Sequence, residues 1–269
     1  MRRRIVVHAG FHKTGTTSAQ QFLRANGALL RPHAALVLPW KLRRGAARLS
    51  ARYSRFRTAQ LLDEFAAELD AVLAGVDPGA RRGLILSDEN LAGRMPGRDG
   101  QTGYDAAPEL MGRIAQVLRQ RFGAEADIRF CFVTRDAASW MRSLWVHNLR
   151  VSRLTLDLDA FCAGLRGLAD AGPPLDRIGA AIAPATLHSA PLAALSGGPE
   201  GPARLLLDQV DLPAACRRQL APQPRGNVAP EAAVADALLA LNRSGLDAEA
   251  LARHKAALLQ PADGETDAG

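Results

Sequence analysis

The stretch from Ile5 to Phe22, IVVHAGFHKTGTTSAQQF, constrains this chain more tightly than any other. A short apolar run, Ile5-Val6-Val7, enters a segment with Gly10 and Gly15, Lys13 between them, and hydroxyls at Thr14, Thr16, Thr17 and Ser18. The pattern predicts a buried strand, a tight loop and then a helix. Glycine lets the backbone turn back on itself. The free N–H groups of a helix start, at the positive end of its dipole, make a socket for a phosphate-like anion.

The same alternation continues along the chain. Leu84 to Leu86, Ile128 to Thr134 and Ala185 to His188 read as further short strands. Leu61 to Leu73, Leu110 to Phe122 and Trp140 to Leu149 read as amphipathic helices between them. Pro108 starts one of these helices and Gly123 closes it. Strands alternating with helices predict an α/β fold of three layers, a central mostly parallel sheet with helices on both faces. After the first loop a helix is expected to end at Gly27. Residues 31 to 57 read as irregular and basic, with Arg44, Arg48, Arg52 and Arg55 at helical spacing beside Tyr53 and Phe56. Residues 90 to 107, rich in glycine, read as a lid or a tolerant surface loop. Leu154 to Leu168 reads as helical, with Gly172-Pro173-Pro174 as a break. Arg204 to Val210 reads as a further helix, and Pro213 to Pro230 as a proline-rich connection. Helices are expected over Glu231 to Asn242 and Ala248 to Leu259. One domain over residues 1–260 is expected, with 261–269 a disordered polar tail.

Composition narrows the ligand class. The formal net charge is +7, which favours anionic partners. Of the 34 Lys and Arg residues, 31 are arginine, and the lysines are Lys13, Lys41 and Lys255. A chain that uses arginine almost everywhere yet keeps a lysine in the glycine loop suggests a need for a compact ammonium there. Three widely spaced cysteines, Cys131, Cys162 and Cys216, make neither a disulfide framework nor a zinc motif. No metal is expected. The apolar run after the N-terminal arginines is too short for a signal peptide, and no stretch reaches the ~20 apolar residues of a membrane span. A cytoplasmic protein is the expectation.

In open parallel sheets, ligands gather beyond the carboxyl ends of the strands. Three of the strands deliver polar residues there: Lys13 to Ser18, Asp88-Glu89 and Arg135-Asp136. Against the nucleotide-binding pattern G-x-x-x-x-G-K-[ST], Gly10 and Gly15 keep the spacing, but Thr16 stands where the lysine belongs. The run His12-Lys13-Thr14-Gly15-Thr16-Thr17-Ser18, followed by Gln20, resembles instead the 5′-phosphosulfate loop of PAPS-dependent sulfotransferases, their bacterial branch in particular. RDAASWMRSLW, with Arg135 and Ser143 eight residues apart, is similar to that family's 3′-phosphate element. Ala137 replaces its usual proline and Trp145 its usual tyrosine. Glu89 resembles the glutamate of its S-x-E-x-L segment.

The resemblance implies a P-loop NTPase-like sulfotransferase fold and transfer of a sulfuryl group from PAPS, leaving PAP. The acceptor it implies is a hydroxyl, of a carbohydrate or lipid-linked glycan, with no nucleic acid and no metal. It implies that His12 to Ser18, with Arg135 and Ser143, bind the nucleotide, Arg225 being a second phosphate ligand. Lys13 would stabilise the bridging oxygen and Glu89 would serve as base. Asp88, His8 and His12 stay open as alternatives to Glu89. Two rival readings stand beside this one: a P-loop kinase or NTPase with Asp88 ending a Walker B strand, and a noncatalytic anion- or glycan-binding module using the stripe from Arg44 to Arg55.

Overall fold

A computed structural model describes residues 3–77, 81–222 and 232–260 of the chain. Five strands, β1 Arg4–His8, β2 Ala34–Val37, β3 Gly83–Ser87, β4 Asp127–Thr134 and β5 Thr186–Pro191, form one sheet in the order β2-β3-β1-β4-β5. Every neighbouring pair is parallel. The sheet is thus all-parallel rather than mostly parallel, and its order is consistent with a P-loop-like fold. Helices of ten residues or more are α1 Thr16–Ala25, α2 Ala46–Phe56, α3 Ala59–Leu73, α4 Ala107–Phe122, α5 Ala137–Val151, α6 Gly172–Ile182, α7 Ala232–Arg243 and α8 Ala248–Leu258.

Side chains alternate across a strand, so each inner strand feeds two cores. Ile5 and Val7 of β1, Leu84 and Leu86 of β3, and Phe130 and Phe132 of β4 join one cluster with α2 to α7. Val6, Ile85, Cys131 and Val133 point the other way, into a cluster with Ala19, Phe22 and Leu23 of α1 and the segment around Leu205 to Val210. The near-continuous apolar runs follow from this double burial. The connection leaving β3 passes over β1 to reach β4, which puts the carboxyl end of β1 at the switch point of the sheet.

Several local expectations need correction. Residues 31 to 57 contain β2, whose sequence AALV is too short and alanine-rich to announce a strand. Pairing with β3, from Ala34 opposite Gly83 to Val37 opposite Leu86, holds it in place. Helix α1 does stop just before Gly27, at Ala25 with Asn26 as its C-cap; the Asn26 amide folds back to donate to the Phe22 carbonyl and also to the Ala221 carbonyl. Gly172-Pro173-Pro174 opens α6 instead of breaking a helix; proline without an N–H fits the first turn. The helix expected over Leu154 to Leu168 shrinks to Leu158–Gly164, capped by the Asp157 carboxylate, plus a turn at Arg166–Leu168. The helix expected over Arg204 to Val210 covers only Arg204–Leu207, and the connection after Pro213 includes a short helix, Ala214–Arg218.

Candidate functional site

The loop after β1 is held in shape by its own backbone and by an aromatic bed. Gly10, Lys13 and Gly15 all have positive φ, of 39°, 68° and 95°. A Cβ at Gly15 would lie 2.8 Å from Pro202 Cγ, so the loop packs tightly on the segment that follows β5. Phe11 is buried against Tyr104, Phe132 and Trp140, with ring centroids 4.5, 5.2 and 5.7 Å away. The Tyr104 hydroxyl accepts from the His12 backbone N–H at 2.8 Å, and Trp140 Nε1 donates to the His12 carbonyl at 2.8 Å. Thr14 turns inward and donates to the Phe11 carbonyl at 2.6 Å, so its hydroxyl braces the loop.

Helix α1 opens with Gly15 at its N-cap and no side-chain cap, which leaves the N–H groups of its first turn without a capping side chain. Thr17 is exposed, Ser18 is half-buried, and Thr16 is buried with its Oγ1 lacking a hydrogen-bond partner among the described residues. Lys13 stands half-buried at the loop crest. Burial lowers its pKa, the charges of Arg150 and Arg135 lower it further, and Glu89 opposes them.

The three strand ends do meet. Arg135 Nη1 donates to the Lys13 carbonyl at 3.2 Å, joining the loop after β4 to the loop after β1. Gln20 Nε2, one turn into α1, donates to Glu89 Oε2 at 3.1 Å and lies 3.4 Å from Ser87 Oγ, which brings in the end of β3. Asp136 caps α5 by accepting from the Ser139 N–H at 2.9 Å. Arg135 Nε donates to Ser139 Oγ at 2.8 Å. Ser143, one turn further along α5, is half-buried and makes no hydrogen bond with Arg135. The partner that orients Arg135 is therefore Ser139, four residues on. Arg225 lies outside the described residues.

The candidates for base differ in access. His8 is fully buried, hydrogen-bonded to Ser87 Oγ at 2.9 Å, and burial pushes its pKa down to about 4. His12 is buried, its Nδ1 lying 3.0 Å from the Tyr104 hydroxyl and its Nε2 3.4 Å from Asn90 Oδ1; burial lowers its pKa also. Asp88 is fully buried with Oδ1 accepting from the Asn90 N–H and Nδ2, and burial together with the Glu89 charge raises its pKa to about 6. Glu89 alone of the four is half-exposed.

Residues 90 to 107 form a wall rather than a lid. Met95, Pro96 and Tyr104 are buried, and Asn148 of α5 donates to the Pro96 carbonyl at 3.3 Å. Sequence reasoning missed Tyr104 in this role, along with Arg98, His147 and Arg150. The last two share a helical face with Ser139 and Ser143, and that spacing was the available signal. Burial and the surrounding charges of Lys13, His12, Arg98 and Arg150 hold the His147 pKa down to about 4. The surroundings of the Glu89 carboxylate are thus cationic.

Comparison with protein-family models, with curated proteins and with solved structures finds no match to this chain.

Proposed function

We propose that this chain transfers a sulfuryl group from PAPS to an acceptor hydroxyl, on the sulfotransferase form of a P-loop-like fold. The observation that carries the reading is the contact of Arg135 with the Lys13 carbonyl, since it unites the two segments that resemble the family's two phosphate elements. The donor set also fits the ligand. An ammonium, a guanidinium, uncapped helix N–H groups and the buried, unpartnered Thr16 Oγ1 all favour oxyanions.

Bound PAPS supplies an activated sulfuryl group whose departure leaves PAP. Lys13 places a mobile positive charge where the bridging oxygen gains negative charge, a contribution greater in the transition state than before it. The N–H groups of Thr16, Thr17 and Ser18 hold nonbridging oxygens. Arg135, its fork oriented by Ser139, takes the 3′-phosphate, with Ser143 within the same helical face. Glu89 accepts the acceptor proton, and the Gln20 amide fixes one of its oxygens. The acceptor in this reading is a carbohydrate or glycolipid hydroxyl.

A second reading has one specific observation in its favour. Asp88 ends β3 as a Walker B aspartate would, and its Oδ2 is buried without a hydrogen-bond partner among the described residues. Thr16 in place of the loop lysine weighs against a kinase. Calorimetric titration with PAP and, separately, Mg²⁺-ATP, on wild type and Arg135→Ala, decides between them. Metal-independent PAP binding that collapses in the variant supports the sulfotransferase. Preference for Mg²⁺-ATP would transfer the case to the kinase, and folded protein that binds neither nucleotide would leave a noncatalytic module.

A further inference from the structure

The arginine stripe of α2 plays no part in the site just described, and its surroundings give it a different character. No aspartate or glutamate occurs before Asp63, although at the chain's average density about six would be expected; the same 62 residues carry 13 Lys and Arg. In the fold, Lys41, Arg43, Arg44, Arg48, Arg52 and Arg55 are all exposed. None of the six makes an ion pair among the described residues, although the Arg43 charge reaches Asp88 and favours its ionised form; Arg57, just past the helix, is held by Glu109. The buried face of α2, with Leu49, Ser50 and Tyr53, packs on the core, so the stripe faces outward along a helix about 16 Å long.

Two aromatic side chains bracket that stripe. Trp40, in the turn Pro39–Leu42, is 57% exposed, and Phe56, the last residue of α2, is 54% exposed. They are the most exposed large apolar side chains among the described residues. The Arg55 guanidinium lies 5.0 Å from the centroid of the Phe56 ring, over its face. That placement covers one face of the Phe56 ring and leaves less of it for a nucleic-acid base to stack on. It suits a headgroup layer, where rings settle at the interface and cations meet phosphates.

We propose that α2 and the Pro39–Leu42 turn form a docking face for an anionic lipid surface. The charges supply attraction, and Trp40 and Phe56 supply shallow anchoring, in the manner of a peripheral protein. The face is mechanically joined to the candidate site. Ser50 Oγ donates to the Asn90 carbonyl, and the Arg94 N–H donates to Ser54 Oγ at 2.9 Å, so α2 grips both ends of the segment that begins at Glu89. Docking therefore brings that segment to a membrane-held acceptor. The docking itself does not depend on the sulfuryl-transfer reading.

The test uses vesicles of phosphatidylcholine with and without phosphatidylglycerol, read by cosedimentation and by tryptophan emission. Trp140 and Trp145 are buried, so a blue shift on docking reports Trp40. Binding to the anionic vesicles only, weakened by salt, is expected. Arg48→Gln/Arg52→Gln/Arg55→Gln should weaken it roughly a hundredfold, from about fivefold per charge. Trp40→Ala should abolish the shift while sedimentation weakens less. Arg24→Gln/Arg166→Gln/Arg218→Gln removes the same charge from exposed positions elsewhere and should retain most of the binding. Unchanged melting temperatures establish that the variants fold. Equal affinity for neutral vesicles, equal loss in both triple variants, or binding of duplex DNA through the α2 arginines with no vesicle binding would overturn the proposal.

Discussion

Asp88→Asn is expected to stabilise the protein at neutral pH. The carboxylate is fully buried, its Oδ1 is satisfied by two donors from Asn90, and its Oδ2 has no hydrogen-bond partner among the described residues. Its pKa rises from 3.8 to about 6 on folding, through burial first and the Glu89 charge second. A raised folded-state pKa means that the favourable contribution is complete below the unfolded value and is lost as pH rises through about 6. A rise of that size corresponds to about 3 kcal/mol lost above pH 6. Asparagine keeps an acceptor at Oδ1 and removes the charge, so the variant recovers up to that amount.

For a chain of this size the gain is about 5 °C in melting temperature at pH 7.5, shrinking to nothing near pH 3 to 4. His8 works in the opposite sense: its folded pKa of about 4, against 6.5, makes it stabilising above 6.5, and this is lost as pH falls toward 4. Burial lowers His12 and His147 in the same sense as His8, so wild-type stability should fall as pH drops from 6.5 to 4, with the Asp88 contribution offsetting part of the loss. The variant, without that offset, should lose stability more steeply on acidification. Calorimetric melts at half-unit pH intervals provide the assay. An Asp88→Asn variant less stable than wild type at pH 7.5, or a difference that does not change with pH, would refute the reasoning.

Other expectations follow from the same geometry. Lys13→Asn, chosen because asparagine tolerates positive φ, should lower turnover with PAPS by about 10²–10³-fold while PAP binding, measured by calorimetry, falls far less. Glu89→Gln should lower turnover by about 10²–10⁴-fold with PAP affinity unchanged, because the Gln20 amide keeps an acceptor. Gly15→Ala forces a Cβ at φ 95° to within 2.8 Å of Pro202, so a loss of about 1–3 kcal/mol in urea unfolding and of PAP binding is expected. Cys131 is buried, which pushes its thiol up to about 12; native protein should react with thiol reagents at Cys162 and Cys216 first, and at Cys131 only on unfolding, as mass spectrometry of labelled peptides would show.

The inner strands β1, β3 and β4 were legible because each is buried on both faces and so reads as an apolar run. β5 was legible too, though only roughly, as the stretch Ala185 to His188. β2 was not, since Ala34 and Ala35 carry little hydrophobic signal and only the neighbouring strand decides their conformation. The double proline at Pro173-Pro174 misled because the same residue that ends one helix starts the next. In the site, the loop and the strand ends were visible as motifs. The choice of Ser139 over Ser143 as the Arg135 partner was not, because it depends on how Asp136 caps α5. Tyr104 was hidden for another reason: its hydroxyl reaches His12 across 92 residues of sequence, from a segment with no periodicity.

The central place of β1 also has a consequence in time. Its partners, β3 and β4, are made much later than β1 itself, and the Arg135 contact to the Lys13 carbonyl spans 122 residues. At ribosomal rates of about 5–20 residues per second, the anion loop waits on the order of ten seconds for the strands that shape it. Over that interval the short apolar run Ile5 to Val7 is an unpaired edge, and Arg3 and Arg4 beside it are the charges that discourage it from pairing with another nascent chain. The order of synthesis thus makes the oldest part of the site wait on younger segments for its final form.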